Sequence, residues 1–155
     1  MRKKVVFKKR KESVDPKFGD LLVDKFVRKM MLDGKKTAAY KIIYGALEII
    51  SPEKEKCLSV FKQAIENAKP TVETKGRRIG GAMIQIPTEV RDSRSLSLAI
   101  RWLIGSARER SEKTMKERLA AELIAASQNE GKTIKKKEDK QKMAKSNTVF
   151  ASLIF

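Results

Sequence analysis

Apolar side chains recur at three- and four-residue spacing along most of the chain, and this spacing is typical of helices that bury one face. The strongest example is 39–50, which Ser51-Pro52 ends because the residue before a proline avoids helical geometry. Asp15-Pro16 is a turn or helix-start signal, and the glycine of Asp33-Gly34 favours a helix end. The first half of the chain is therefore predicted to form three helices, at about 22–32, 39–50 and 57–68.

Between 72 and 90 the helical period gives way to alternating apolar and polar residues, which is typical of a strand. Gly80-Gly81 provides a tight turn, so this segment is predicted to form a β-hairpin. An isolated hairpin is marginally stable in water, and we expect this one to project from a helical body and to settle against another surface. Its tip is predicted to carry Lys75, Arg77 and Arg78.

Helical spacing resumes at Ser93 and predicts a fourth helix. A fifth begins with the capping-box pair Thr114 and Glu117, and Gly131 is predicted to close it. A sixth, from Thr133 to about Asn147, is rich in lysine and has only a thin apolar stripe.

The predicted fold is therefore mainly α, with a six-helix, bundle-like body and one protruding β-hairpin arm between the third and fourth helices. Residues 1–14 are predicted to be a basic N-terminal arm and residues 15–155 a single helical domain, with the hairpin arm at about 72–90.

The charge of the chain indicates its partner. Lys and Arg number 36 against 19 Asp and Glu, which gives a formal net charge of +17. Like charges repel in a compact state, and a polyanion relieves that repulsion, so nucleic acid is the first candidate and an anionic membrane the second. The membrane is disfavoured because no apolar run approaches the roughly 18 residues of a span and no basic helix has an aromatic apolar face.

Residue types exclude most catalytic chemistry. Histidine is absent, and the single cysteine, Cys57, forms neither an internal disulfide nor a zinc site and is expected to be half-buried. The glycines of 76–81 follow a strand that reverses into another strand, which is the wrong setting for a phosphate-binding loop. We therefore predict no enzymatic activity, no cofactor, no metal and no small-molecule substrate. Met1–Lys8 lacks the apolar segment of a secretory signal, which favours the compartment of synthesis.

Three groups of cations are candidates for RNA binding. Seven-residue spacing places the arginines of the fourth helix on one stripe about 21 Å long, which suits a phosphate backbone better than any carboxylate partner; an ordinary solvated face is the alternative. The N-terminal arm is too polar to fold alone. Near the C-terminus, lysines far outnumber acidic residues. The groups are Arg94, Arg101 and Arg108; Arg2, Lys3, Lys4, Lys8, Lys9, Arg10 and Lys11; and Lys135, Lys136, Lys137 and Lys142.

Several segments in the same order resemble the family of the bacterial-type small ribosomal subunit protein seven. They are KGRRIGGAMIQIPTEVR at 75–91, DPKF at 15–18, MLDGKK at 31–36, FKQAIENAKP at 61–70, LAIRWLI at 98–104, EKTMKERLAAELIAA at 112–126 and KKKEDKQKMAKSN at 135–147. Together they span nearly the whole chain. The C-terminus, Phe150–Phe155, departs from the family pattern, as does Lys140-Gln141 in the last helix, where the family has a Thr-His pair.

The resemblance implies a primary rRNA-binding protein that contacts the 3′ major domain of small-subunit rRNA and nucleates assembly of the subunit head. It also implies a hairpin near the exit-site tRNA and mRNA, and neighbouring head and platform proteins as partners. The implied setting is a cytoplasmic ribosome, or an organellar one if the gene is organelle-encoded. Besides the groups above, the implied RNA surface includes Lys35, Lys36, Arg110, Lys113 and Arg118. A translational repressor that binds its own operon mRNA through the same surface is the alternative.

Overall fold

The predicted order of six helices with a hairpin between the third and the fourth is confirmed by the computed structural model, which describes residues 13–149. The N-terminal arm predicted at 1–14 lies outside the described residues except for its last two. The described elements are α1 (Leu21–Met30), α2 (Lys36–Ile50), α3 (Lys54–Ala68), β1 (Val72–Ile79), β2 (Ala82–Glu89), α4 (Asp92–Arg108), α5 (Met115–Ser127) and α6 (Gly131–Ser146).

The segment before α1 is a turn rather than a helix start. The carboxylate of Asp15 accepts hydrogen bonds from the backbone N–H groups of Lys17 at 3.0 Å and Phe18 at 2.8 Å, and this local bonding holds the chain in a turn. Asp20 then caps α1 by accepting from the N–H of Leu22 at 2.7 Å. The helix therefore begins five residues after Pro16.

The glycine predicted to close α5 belongs instead to the next helix. α5 ends at Ser127, and Asn129 takes the positive φ of 60° that follows it. Gly131, with φ of 93°, is the first residue of α6. A Cβ atom there would lie 3.2 Å from Cβ of Ala125 and 3.3 Å from Oε1 of Glu122, so this close approach of α6 to α5 requires glycine.

The core lies around α5, which contacts α2, α3, α4 and α6. Leu119 and Leu123 of α5 are almost completely buried, and Phe26 meets Phe61 edge to face with ring centroids 5.4 Å apart. Burying each such side chain stabilises the fold by about 1.5–3 kcal/mol. Cys57 is also fully buried rather than half-buried, and burial raises the pKa of its thiol.

The base of the hairpin is packed against the body, and its outer half is exposed. Ile86 of β2 is 1% exposed, and α6 contacts both strands. Ser95 at the start of α4 donates to the carbonyl of Pro70 at 2.8 Å, which fixes the chain as it enters β1. The base of the hairpin therefore rests on α6 of the helical body, and a separate surface for its exposed half stays a prediction.

A buried carboxylate joins α5 to the elements on both sides of it. Glu122 has no exposed surface, and its Oε1 accepts from the N–H of Thr133 at 3.1 Å and from the Thr133 hydroxyl at 2.7 Å. Its Oε2 accepts from Nη1 of Arg110 at 2.9 Å. The carboxylate thereby ties the end of α4 and the first turn of α6 to α5.

Replacing Glu122 with alanine is expected to lower the free energy of unfolding by about 3–5 kcal/mol, because it leaves the Arg110 charge and the Thr133 donors without their buried partner. Urea denaturation followed by circular dichroism measures this loss. The control is Glu138→Ala on the exposed side of α6, expected to change stability by less than about 0.5 kcal/mol. Equal stability of the two variants would contradict the assigned role of Glu122.

Candidate nucleic-acid interface

The arginine stripe on α4 exists, but its three members differ in their partners. Arg101 is exposed and forms no ion pair within residues 13–149. Arg94 does have a carboxylate partner, contrary to the prediction: its Nε lies 2.9 and 2.8 Å from the two carboxylate oxygens of Glu73. Arg108 is exposed and donates from Nη2 to the carbonyl of Met30 at 3.2 Å. The stripe therefore offers Arg101 and part of Arg108 to a ligand, whereas Glu73 competes for Arg94.

The pKa of Glu73 reflects this competition. Burial alone would raise the pKa, but hydrogen bonds and the charges of Arg94 and Lys75 outweigh it and lower the pKa below its ordinary value of 4.5. Glu73 is therefore ionised at neutral pH and holds the base of β1 against the start of α4.

The hairpin carries exposed cations along β1, and only some of them lie near its tip. Arg78 and Arg77 are paired in register with Met83 and Ile84, close to the Gly80-Gly81 turn. Lys75 is not at the tip as predicted: it is paired with Ile86 in the middle of the strand, and its Nζ lies 3.4 Å from Glu73. Because side chains alternate along a strand, neighbouring Arg77 and Arg78 present their charges on opposite faces of the hairpin.

The loop between α1 and α2 presents two lysines. The side chain of Lys35 is 74% exposed, and its nearest carboxylate is Asp33 at 4.0 Å. Lys36 has closer partners within the protein than Lys35 has, since its Nζ lies 5.3 Å from the centroid of the Tyr40 ring and 3.8 Å from the carboxylate of Asp24.

Arg110 and Arg118, which the family resemblance assigned to the RNA surface, serve mainly as internal donors. Arg110 is bound at 2.9 Å to each of Glu112 and Glu122. Nε of Arg118 donates to the backbone carbonyl of Glu112. Their neighbour Lys113 is exposed. The sequence alone gives no sign that Arg110, unlike its exposed neighbours, has an internal partner, because Glu122 is twelve residues away along the chain.

The lysines of α6 divide in the same way. Lys135 and Lys142 are exposed, whereas Lys136 pairs with Glu109 at 3.0 Å and Lys137 donates to the carbonyl of Asn67 at 2.6 Å. The remaining sequence candidates lie outside the described residues: Arg2, Lys3, Lys4, Lys8, Lys9, Arg10 and Lys11.

One basic surface was missed by the sequence analysis. Lys25, Arg28 and Lys29 of α1 line a groove with the serines and apolar residues on one side of α4. Among these, Ser97 lies one turn before Arg101, so the groove leads to the exposed part of the arginine stripe. The spacing of three and four residues on the polar side of α1 was the available signal. We call this groove, together with Arg94 and Arg101, the α1–α4 basic face.

Asp24 anchors the α1–α4 basic face from beneath. Its carboxylate is 1% exposed and accepts hydrogen bonds from the Ser13 hydroxyl at 2.7 Å, from Nε of Arg28 at 2.6 Å and from the Tyr40 hydroxyl at 3.2 Å. Burial would raise the pKa of Asp24, but the hydrogen bonds from Ser13 and Arg28 and the charge of Arg28 lower it below its ordinary value of 3.8.

Residues 13–149 contain no cluster of three His, Cys, Asp or Glu side chains arranged to hold a metal ion. None of the helices in that range has the length and apolarity needed to cross a bilayer.

The fold and its surface define a class of small basic proteins in which a helical body carries cations on several separate surfaces and one hairpin arm. The family model of Ribosomal protein S7p/S5e matches residues 1–148. Similar proteins include the small ribosomal subunit protein uS7 of Afipia carboxidovorans, 52% identical over 92% of each chain, and that of Magnetococcus marinus, 54% identical over 92% of each chain. The uS7 of Sulfurimonas denitrificans is 54% identical over 88% of this chain and 89% of its own. The chain belongs to the ribosomal protein S7p/S5e family.

Lowering the pH from about 5 to 2 is expected to destabilise the protein partly through Asp24. Its pKa in the folded state is depressed, so its contribution to stability is present above the ordinary pKa and is lost as the pH falls through the folded-state value. The variant Asp24→Asn is therefore expected to lose less free energy of unfolding over this range than the unmodified protein, as measured by urea titrations at each pH.

The matched control is Asp33→Asn, whose side chain is 82% exposed and which is expected to follow the pH dependence of the unmodified protein. Parallel pH profiles for Asp24→Asn and the unmodified protein would show that Asp24 does not anchor the face.

Proposed function

We propose that this chain is a structural constituent of the small ribosomal subunit that binds small-subunit rRNA directly, in the 3′ major domain. Two findings support the proposal: the family match over residues 1–148, and relatives at about half identity that are named small ribosomal subunit protein uS7. A ribosomal setting also accounts for a net charge of +17, because rRNA supplies the neutralising phosphates.

The observation that carries the proposal is that exposed cations without a strong internal carboxylate partner lie on three separate surfaces. These are the α1–α4 basic face, the exposed half of the hairpin, and the outer side of α6. On these surfaces we propose Arg77, Arg78, Arg101, Lys135 and Lys142 as direct RNA contacts, because they are exposed and not held by a strong internal ion pair. Lys35, Arg108 and Lys113 are exposed outside these three surfaces and are proposed as further contacts on the same ground.

Separate surfaces on one packed body have a mechanical consequence. Phosphate contacts position a protein on RNA without reading its sequence. A body that contacts several RNA segments at once fixes their relative orientation, which is the step required to nucleate assembly of the subunit head. Within the same proposal, the exposed half of the hairpin extends toward the exit-site tRNA and mRNA, and neighbouring head and platform proteins cover other parts of the body.

Binding to a head fragment of small-subunit rRNA is expected to weaken steeply with salt through counterion release. Replacing Arg101 with glutamine is expected to weaken binding and to lower the slope of log affinity against log salt by about 1. Filter binding across a range of salt concentrations measures both quantities.

The matched control is Lys54→Gln, which removes one positive charge from an exposed position on α3 outside the three proposed surfaces. It is expected to keep the slope of the unmodified protein. Salt-insensitive binding, or equal affinity for the head fragment and for random RNA of the same length, would refute the proposed function.

A further inference from the structure

A small apolar groove lies where the α1–α2 loop meets the end of α4 and the start of α5. Its volume is about 270 Å³, and its floor includes Met31, Leu32, Ile42 and Met115. Leu32 is 60% exposed and therefore presents apolar surface to a ligand at the groove. Lys35 and Arg108 lie at its rim. We call this site the methionine groove.

We propose that the methionine groove binds a single unpaired nucleotide of RNA, with the base on the apolar floor and its phosphate between Lys35 and Arg108. The inference rests on the proposed function, since it names the feature of the RNA that this part of the surface recognises. Unpaired bases expose flat, weakly polar faces, which proteins accept on apolar or planar side chains.

The charges at the groove fit a nucleotide. No acidic residue is among the side chains that line it. The nearest carboxylate to Lys35 is that of Asp33, which lies 4.0 Å from Nζ and is itself largely exposed, so it neutralises Lys35 only weakly. Nη2 of Arg108 is bound to the Met30 carbonyl, which orients the guanidinium at the rim and leaves its other donors to a phosphate.

The size and composition of the groove also favour a base over a protein element. A volume of about 270 Å³ is close to the lower end of the range of about 300–1,000 Å³ for small-molecule pockets, so the groove has room for about one base and not for the several anchor residues of an amphipathic helix. Methionine side chains are flexible and polarisable, so the floor adapts to any of the four bases. We therefore expect a site that is tolerant of sequence but selective for unpaired over paired RNA.

The methyl groups of methionine provide a direct test. The full-length protein labelled with ¹³C at the methionine methyls is titrated with a five-nucleotide single-stranded RNA, and methionine substitutions assign the signals. Ring currents of a bound base are expected to shift the methyl signals of Met31 and Met115 upfield. Met143, on α6 beside Thr74, is the internal control and is expected to show no such upfield shift.

Two further ligands separate the base from the phosphates. An abasic RNA of the same length keeps the charge, and a duplex RNA hides its bases, so neither is expected to shift the Met31 and Met115 signals upfield. An equal upfield shift with the abasic RNA would overturn the proposal, because it would show a response to charge alone.

A surface variant tests the contribution to affinity without altering the core. Leu32→Ser is expected to weaken binding of the single-stranded RNA about fivefold, in line with the loss of part of a base contact, and to leave duplex binding unchanged. The matched control is Ile49→Ser, which removes an exposed apolar side chain from α2 outside the groove and is expected to have no effect.

Unshifted Met31 and Met115 signals at saturating single-stranded RNA would overturn the proposal and would indicate that another molecule, such as a neighbouring protein, covers the groove. Binding of the head rRNA fragment is measured on the same sample. If that binding persists, only the nucleotide site fails; if it is absent, the proposed function fails as well.

Discussion

The buried carboxylate of Glu122 is the interaction on which the arrangement of the second half of the molecule depends. An ionised group without exposed surface is costly unless it is paired and hydrogen-bonded, and here Arg110 and Thr133 meet that requirement. Arg110 precedes α5 in the chain and Thr133 follows it, so these contacts to Glu122 fix both the segment after α4 and the start of α6. Because α6 in turn supports both strands of the hairpin, the position of the arm follows from a carboxylate in the core.

Carboxylates also divide the cations of this basic chain into two groups. Asp24 holds Arg28, Glu73 holds Arg94, and Glu122 holds Arg110. Each of these pairs joins or anchors elements of the fold, and in each the carboxylate neutralises the charge of the arginine. Cations that face outward without such a partner, for example Arg101 and Lys35, keep their charge for a ligand. The candidate nucleic-acid surface therefore consists of the lysines and arginines that remain once those paired with internal carboxylates are left out.

Local signals predicted the elements well, and long-range partners explain what they missed. Apolar spacing located the first five helices of the described residues and alternation located the hairpin, because both patterns are set by nearby residues. The sixth helix had been predicted on a thin apolar stripe only, and the structure confirms it. Gly131 was misassigned because its role depends on the approach of Ala125 and Glu122 in space. Arg94 and Arg110 resembled surface cations because their partners lie twenty-one and twelve residues away. Lys75 was placed too near the tip because the register of the strands was not known.

A packed body with separated cationic surfaces has a further consequence for selectivity. Contacts to phosphates are individually indifferent to sequence, so a single basic surface binds almost any RNA. A close-packed core holds these surfaces at fixed distances from one another. Once RNA has bound one surface, it reaches the second and third at little further cost in translational and rotational entropy, provided that its segments are spaced like the surfaces. RNA of the wrong shape engages one surface at a time and gains little. Under the proposed function, selectivity for a folded RNA is therefore expected to arise from the rigidity of the helical body. The internal pairs of Asp24, Glu73 and Glu122 contribute by fixing where the exposed cations lie.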